Sequence, residues 1–175
     1  MNKPTAFAFT TVWLLSFSAG CFSADGLLDS TAAKCVTPDD ADRLVDQTLQ
    51  LVNLERAERA LPPVVVNARL QKIAEDYACR MVELGFFGHT DPFTGDKQQE
   101  RALAGKYWYY ALGENLAAGS STAADVMKRW MESPRHRDVI LDPTWKEIGI
   151  GVRAGSDGQI HWVQQFGDPA GPIGR

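Results

Sequence analysis

The sequence predicts an α+β fold in which a small antiparallel sheet lies between layers of helices. Three segments that precede residue 133 carry apolar residues at helical spacing. The last part of the chain alternates apolar and polar residues on both sides of a turn, which is typical of a β-hairpin. Because strands do not alternate regularly with helices, these observations disfavour a doubly wound parallel sheet.

The first two predicted helices have recognisable ends. The first covers residues 39–59, and the Pro62-Pro63 pair stops it. The second begins after Asn67, a residue suited to helix capping, and ends at Gly85, where a left-handed residue is favoured. Its apolar stripe is the clearest helical pattern in the chain.

The middle of the chain is less regular. Residues 93–106 are charged and predict a loop with a short helical piece. Glu114 follows a glycine and precedes an asparagine, which predicts a turn. The third helix is predicted to begin at Thr122, and Pro134 ends or kinks it.

The predicted hairpin closes the chain. Residues 147–152 alternate with period two and contain glycines, which indicates close backbone approach on one face. Residues 156–158 have turn chemistry, and residues 160–166 form the returning strand. The tryptophans at positions 130, 145 and 162 are predicted as core residues rather than as a ligand platform.

Composition restricts the number of domains and the partners. The chain has 175 residues, of which 45% are hydrophobic and 23% are charged, so one globular domain of ordinary size is expected. The formal net charge is −4, and no long run of Lys or Arg occurs. This balance excludes nucleic acid as an expected partner.

The N-terminal segment predicts export. Residues 1–20 contain a lysine followed by an uncharged apolar stretch, which predicts a signal peptide. The stretch is shorter than the ~20 residues of a membrane span, which disfavours a transmembrane helix. Small residues before Cys21 resemble a bacterial lipobox, so Cys21 is the expected lipidation site and the membrane anchor. Ordinary cleavage nearby, or an uncleaved anchor, leaves Cys21 free instead. The predicted location is periplasmic or at the cell surface.

The remaining chain divides into a linker over residues 21–39, a domain over 40–168 and a flexible tail over 169–175. If Cys21 is lipidated, Cys35 and Cys79 remain as an even pair in an oxidising compartment. A disulfide between them would stabilise the fold by roughly 4 kcal/mol in the loop-entropy model. Two buried thiols are the alternative, because spacing does not test geometry.

Three polar residues at element ends are the candidate site. They are His89 after the second helix, Glu114 in the predicted turn, and His136 after Pro134. Two imidazoles and a carboxylate can hold a zinc-like ion or work as an acid/base pair, but their spacing does not show that they converge. His161 alternates with strand neighbours and is predicted to be an ordinary histidine on the sheet surface.

Several ordered motifs resemble the bacterial branch of the CAP superfamily, which comprises cysteine-rich secretory proteins, antigen 5 and pathogenesis-related proteins and whose domain is also called SCP. The resemblance covers about residues 46–168. It rests on Asn53-Leu54-Glu55-Arg56, Phe87-Gly88-His89-Thr90-Asp91-Pro92, Gly113-Glu114-Asn115-Leu116-Ala117, Trp130-Met131-Glu132-Ser133-Pro134-Arg135-His136-Arg137, Glu147-Ile148-Gly149-Ile150-Gly151-Val152 and Trp162-Val163-Gln164-Gln165-Phe166-Gly167.

The resemblance implies a three-layer α-β-α sandwich with a central cleft that carries two histidines and two acidic residues. His89, His136 and Glu114 match three of these positions, and the histidines would take zinc or another divalent cation. The second acid would fall near Ser133, so a three-residue site is expected here.

Three functions remain open at this point. The first is a secreted binding module whose cleft holds a divalent ion and a small-molecule, lipid or peptide ligand. The second is a metal-assisted, peptidase-like hydrolase with Glu114 as general base beside His89 and His136. Two imidazoles leave a metal under-coordinated for that reaction, which favours binding over hydrolysis. In the third, the three residues brace the cleft and bind nothing. No cysteine is a candidate nucleophile.

Overall fold

The fold is described from a computed structural model, which covers residues 34–171. The three predicted helices and the predicted hairpin occur in the predicted order, and the structure has two further short helices and two further strands. Their bounds are α1 Ala41–Ala57, β1 Val65–Val66, α2 Ala68–Leu84, α3 Gln98–Ala104, β2 Tyr109–Ala118, α4 Ala123–Glu132, α5 Pro134–Ile140, β3 Glu147–Ala154 and β4 Ile160–Pro169.

Four strands form one sheet in the order β1-β3-β4-β2. The predicted hairpin is confirmed, because β3 and β4 pair antiparallel, and β2 pairs antiparallel with β4. The sheet is mixed rather than purely antiparallel, because the two-residue β1 runs parallel to the start of β3. A two-residue strand is too short to show an alternating pattern, and the sequence therefore did not predict it.

Helix α2 packs against one face of the sheet at two glycines. A Cβ added to Gly149 would lie 2.1 Å from the carbonyl carbon of Leu70. A Cβ added to Gly151 would lie 2.2 Å from the carbonyl oxygen of Ala74. The expected close approach is therefore confirmed, and the partner is the backbone of α2. Asn67 accepts from the first-turn amides of Arg69 and Leu70, as its predicted capping role requires.

The opposite face of the sheet packs against α1, α4 and α5. Its core contains the three tryptophans predicted as core residues, together with aliphatic side chains of β3. Trp130 and Trp162 are fully buried, and each indole N–H donates to a backbone carbonyl. The resulting α-β-α layers confirm the predicted fold class.

One local prediction was wrong, and another is made more specific. Glu114 lies inside strand β2 rather than in a turn, because residues 111–118 pair continuously with β4. Gly113 is used for close packing, since a Cβ there would lie 2.7 Å from the Trp145 ring. The predicted break at Pro134 is the start of a second helix, since Pro134 occupies the first turn of α5, and His136 lies on that helix.

The segment before α1 is attached to the domain. Cys35 and Cys79 form a disulfide, and Val36 exchanges two backbone hydrogen bonds of 2.9 Å with Ala154 at the end of β3. The predicted linker over residues 21–39 thus overlaps the folded unit. The predicted signal peptide and Cys21 lie outside the described residues, as does most of the predicted tail. Within residues 34–171, no helix is long and apolar enough to cross a membrane.

The contact between α2 and β3 generates a stability prediction. Gly151→Ala should lower the free energy of unfolding by about 3 kcal/mol, because the new methyl group meets helix backbone that cannot rotate away. Urea denaturation measures the change. Gly171→Ala is the matched control, since no atom lies within 4 Å of an added Cβ there, and it should be neutral. Equal stability of both variants would contradict the described packing.

Candidate functional site

A cleft of about 560 Å³ lies along the outer edge of β2, the edge strand of the sheet. One wall comes from α3 and the loop before it, and the other comes from α5 and the segment that follows it. Its lining includes His89, Lys97, Gln98, Gln99, Leu112, Glu114, Asp138 and Asp142. Because two layers meet at this edge, side chains from both sides of the sheet reach the cleft.

Glu114 is the buried charge of the cleft. Its side chain is 3% exposed, and each carboxylate oxygen has its own partner. Oε1 lies 2.8 Å from Nδ1 of His89, and Oε2 accepts from Nη2 of Arg101 at 2.5 Å. Since a carboxylate oxygen accepts, the imidazole donates its Nδ1 proton, and in the neutral ring Nε2 of His89 is then the nitrogen with a free lone pair. The His89 side chain is 60% exposed, so this nitrogen belongs to an accessible group.

Arg101 connects three parts of the site. Its guanidinium also donates to the backbone oxygen of His89 at 3.3 Å and of Asp96 at 3.2 Å. It stacks over the ring of Tyr77 on α2, 3.4 Å from the ring centroid. Arg101 therefore holds the backbone of His89 directly and the imidazole through Glu114.

The loop that carries His89 is held by hydrogen bonds within the loop and by contacts with α2. Asp91 is buried, accepts from the amides of Phe93 and Thr94, and forms an ion pair with Arg80. The Arg80 guanidinium is the main cause that lowers the pKa of Asp91. Burial raises the pKa of Tyr77 to about 12, so its hydroxyl stays protonated and donates to the carbonyl of Gly88.

His136 lies on α5, on the other side of the sheet. Asn115, which follows Glu114 on β2, donates to the backbone oxygen of His136 at 3.0 Å and so fastens α5 to the strand. Burial, followed by the charges of His89 and Arg129, lowers the pKa of His136. Its imidazole is therefore neutral at neutral pH and able to donate a lone pair.

The structure brings two of the three predicted site residues into direct contact. His89 and Glu114 are hydrogen-bonded, whereas His136 is not among the residues that line the cleft. Across residues 34–171, no group of three or more histidine, cysteine, aspartate or glutamate side chains is placed to hold a metal ion. Glu114 is already engaged by two donors, which makes it a partner of His89 in this arrangement. Metal binding by His89, Glu114 and His136 stays a prediction.

His161 lies away from this cleft. It is on β4, its ring centroid is 6.2 Å from that of Phe87, and burial lowers its pKa. Sequence reasoning missed Arg101. It stands in a segment predicted as mostly loop, and its partners His89 and Glu114 are 12 and 13 residues distant along the chain. No local pattern marks such an interaction.

A family model described as the cysteine-rich secretory protein family, CAP, matches residues 49–166. The chain belongs to this family. The matched region therefore covers α2 to α5, the strands β1 to β3, most of β4 and the C-terminal half of α1, which includes every element of the cleft.

Relatives of this CAP domain include the protein YkwD of Bacillus subtilis, which is 31% identical over 147 residues. That match covers 82% of this chain and 54% of YkwD, so the chain spans about half the length of this relative. An extracellular protein containing an SCP domain from Bacillus anthracis has a solved structure that is similar, with 26% identity and a TM-score of 0.68. The match covers 76% of this chain and 44% of that chain.

An outer surface protein of Borrelia burgdorferi has the same fold, with a TM-score of 0.69 and 20% identity. The match covers 79% of this chain and 99% of that chain.

Two residues of the first CAP motif, Asn53 and Arg56, stabilise the fold through hydrogen bonds to the backbone. The side-chain amide of Asn53 donates to the carbonyl of Val64 at 3.0 Å and accepts from the Val64 amide at 2.9 Å. Arg56 is fully buried and donates to backbone oxygens at Pro62, Ile140 and Asp142. These bonds tie the end of α1 to the end of α5, and so hold one wall of the cleft.

The network around Glu114 predicts the tautomer of His89. In metal-free protein at pH 8, nitrogen-15 NMR of the imidazole should show the proton on Nδ1. Arg101→Met should shift the population toward the Nε2-protonated form, because Glu114 and the His89 backbone lose their shared donor. Arg80→Met is the control, since Arg80 anchors the same loop through Asp91 without contacting Glu114. Equal shifts in both variants would contradict a specific role of Arg101.

Proposed function

We propose that the chain is an exported CAP domain that binds a ligand in the cleft beside β2, with a divalent metal ion, zinc in the first instance, held by His89 and His136. Glu114 acts through His89 in this proposal instead of coordinating the ion itself. The ion would offer open coordination positions to an oxygen or nitrogen of the ligand. The remaining coordination would come from water or from that ligand.

The hydrogen bond between Nδ1 of His89 and Oε1 of Glu114 carries the proposal. Histidines that bind metals in proteins commonly donate their other ring N–H to a carboxylate, which fixes the tautomer and increases the basicity of the ligating nitrogen. His89 has this arrangement, and its exposed imidazole keeps Nε2 for a ligand. The donor set therefore fits a metal at His89.

His136 supports the proposal by its protonation state. A histidine ligates a metal as the neutral imidazole, and burial lowers the pKa of His136 so that this form prevails at neutral pH.

Hydrolysis with Glu114 as general base has no comparable support. A general base needs a free lone pair within reach of the water that it activates. The Glu114 side chain is 3% exposed and each of its oxygens already has a donor, His89 or Arg101, so a water molecule has little access to the remaining lone pairs. Binding is the function that this geometry favours.

Export is supported by two independent observations. The disulfide between Cys35 and Cys79 is a bond that persists in oxidising compartments outside the cytosol. The similar Bacillus anthracis protein is described as extracellular. With the predicted signal peptide, these observations favour a location outside the cytoplasmic membrane, to which a lipid on Cys21 would attach the protein.

Zinc titration calorimetry at pH 7.5 tests the metal site. His89→Ala and His136→Ala should each abolish zinc binding, because each removes a proposed ligand. Glu114→Gln should weaken it about 10- to 100-fold, as expected for a group that orients a ligand. His161→Ala is the matched control, since the third histidine lies elsewhere, and it should bind like the wild type. A wild type that binds no zinc, or four variants that bind equally well, would refute the metal site.

Mass spectrometry of the N-terminus tests the anchor. Protein recovered from the membrane fraction of an expressing bacterium should begin at Cys21, with a mass increase that corresponds to diacylglycerol on its sulfur. Cys21→Ser should move the protein to the soluble fraction. An unmodified Cys21 in membrane-bound wild type would contradict the proposed lipid attachment.

A further inference from the structure

The outer edge of β2 presents unpaired backbone groups at a defined register. In an antiparallel ladder, residues alternate between pairs that exchange hydrogen bonds and pairs whose backbone groups face away from the neighbouring strand. The amide of Gly119 donates to the carbonyl of Ile160, and the register is unbroken from Ala111 to Ala118. The backbone N–H and C=O groups of the even-numbered residues 112, 114, 116 and 118 therefore point away from β4, toward the free edge.

Helix α4 covers one half of this edge. The indole of Trp130 donates to the carbonyl of Leu116 at 3.2 Å, and Arg129 donates to the carbonyl of Ala118 at 2.8 Å. Both carbonyls accept from α4, so both face away from β4. This agrees with the register deduced from the strand pairing. Edge strands of stable proteins are commonly protected in this way.

The other half of the edge opens into the cleft. Leu112 and Glu114 line the cleft, and their N–H and C=O groups are the edge groups that α4 does not reach. Two donors and two acceptors at strand spacing are complementary to one kind of partner, the backbone of another extended chain. Sugars, sterols and acyl chains lack this alternation of N–H and C=O.

We infer that the cleft takes an extended peptide, which pairs antiparallel with Leu112 and Glu114 and adds a fifth strand to the sheet. This inference rests on the proposed function only in using the cleft as a ligand site, and it does not require the metal. The two residues of the peptide that lie opposite Leu112 and Glu114 form up to four backbone hydrogen bonds with them. The peptide then runs beside the His89–Glu114 pair.

The two walls of the cleft select different side chains. A residue opposite Leu112 or Glu114 places its side chain on the α3 face of the sheet, as those two residues do, and the next residue faces α5. Asp138 and Asp142 lie on the α5 side, which favours Lys or Arg at the positions that face it. The α3 side presents the uncharged Gln98 and Gln99 beside the cationic Lys97, which disfavours a basic residue there and suits Thr or Ser. The expected ligand therefore alternates basic and small polar residues.

Three probe peptides test this inference with the protein itself unchanged in every arm. The reference is acetyl-(Lys-Thr)3-amide. One derivative is N-methylated at the threonines, whose N–H groups face the edge in the proposed register, and the other at the lysines, whose N–H groups face away. All three carry the same charge, so attraction to the acidic chain does not distinguish them. Binding is measured by NMR titration in the presence of EDTA.

The reference peptide should shift the amide signals of Leu112 and Glu114. Methylation at threonine should weaken binding at least about tenfold, as expected for the loss of two hydrogen bonds, whereas methylation at lysine should leave it within about twofold. No binding of the reference peptide, equal loss in both derivatives or the reverse order would overturn the inference. Because EDTA removes free metal, a failure of the zinc site leaves this result unaffected, and a peptide failure leaves the zinc titration unaffected.

Discussion

The buried carboxylate of Glu114 is the constraint on which the cleft depends. A charge that is 97% removed from solvent destabilises a fold unless hydrogen-bond donors surround it. The donors come from two places that are distant in sequence, the loop at His89 and helix α3 at Arg101. Compensating this one charge therefore holds α3 and the loop against β2 and fixes the orientation of the exposed imidazole. Under the proposed function, the fold and the binding site depend on the same interaction.

The sheet and α2 supply the frame in which this compensation is possible. Glycines at positions 149 and 151 let the backbone of α2 lie directly on β3. This close approach brings Tyr77 and Arg80, which are on α2, to the loop that carries His89. On the other face, Asn115 and Arg56 fasten α5 by its backbone oxygens. The edge strand β2 is thus held between two anchored walls, with part of its backbone uncovered.

Local patterns predicted most of the fold and part of the site. Periodicity, the Asn67 cap and the turn at residues 156–158 were enough for the long helices and the hairpin, because these signals act over a few residues. Glu114 was misplaced because Gly-Glu-Asn has turn chemistry locally, whereas pairing with β4 about fifty residues later decides its conformation. Arg101 was missed for the same reason. Its partners converge through the tertiary fold, and sequence spacing carries no record of that convergence.

A double-mutant cycle on Arg101 and Glu114 tests the central claim most directly. Unfolding free energies at pH 7.5 would be compared for the wild type, Arg101→Met, Glu114→Gln and the double variant. If the pair organises the cleft, either single change leaves a buried group without its partner, and the double change costs less than the sum. The expected coupling energy is about 2 kcal/mol. Additive costs, with a coupling near zero, would show that the two side chains are independent and would contradict this account.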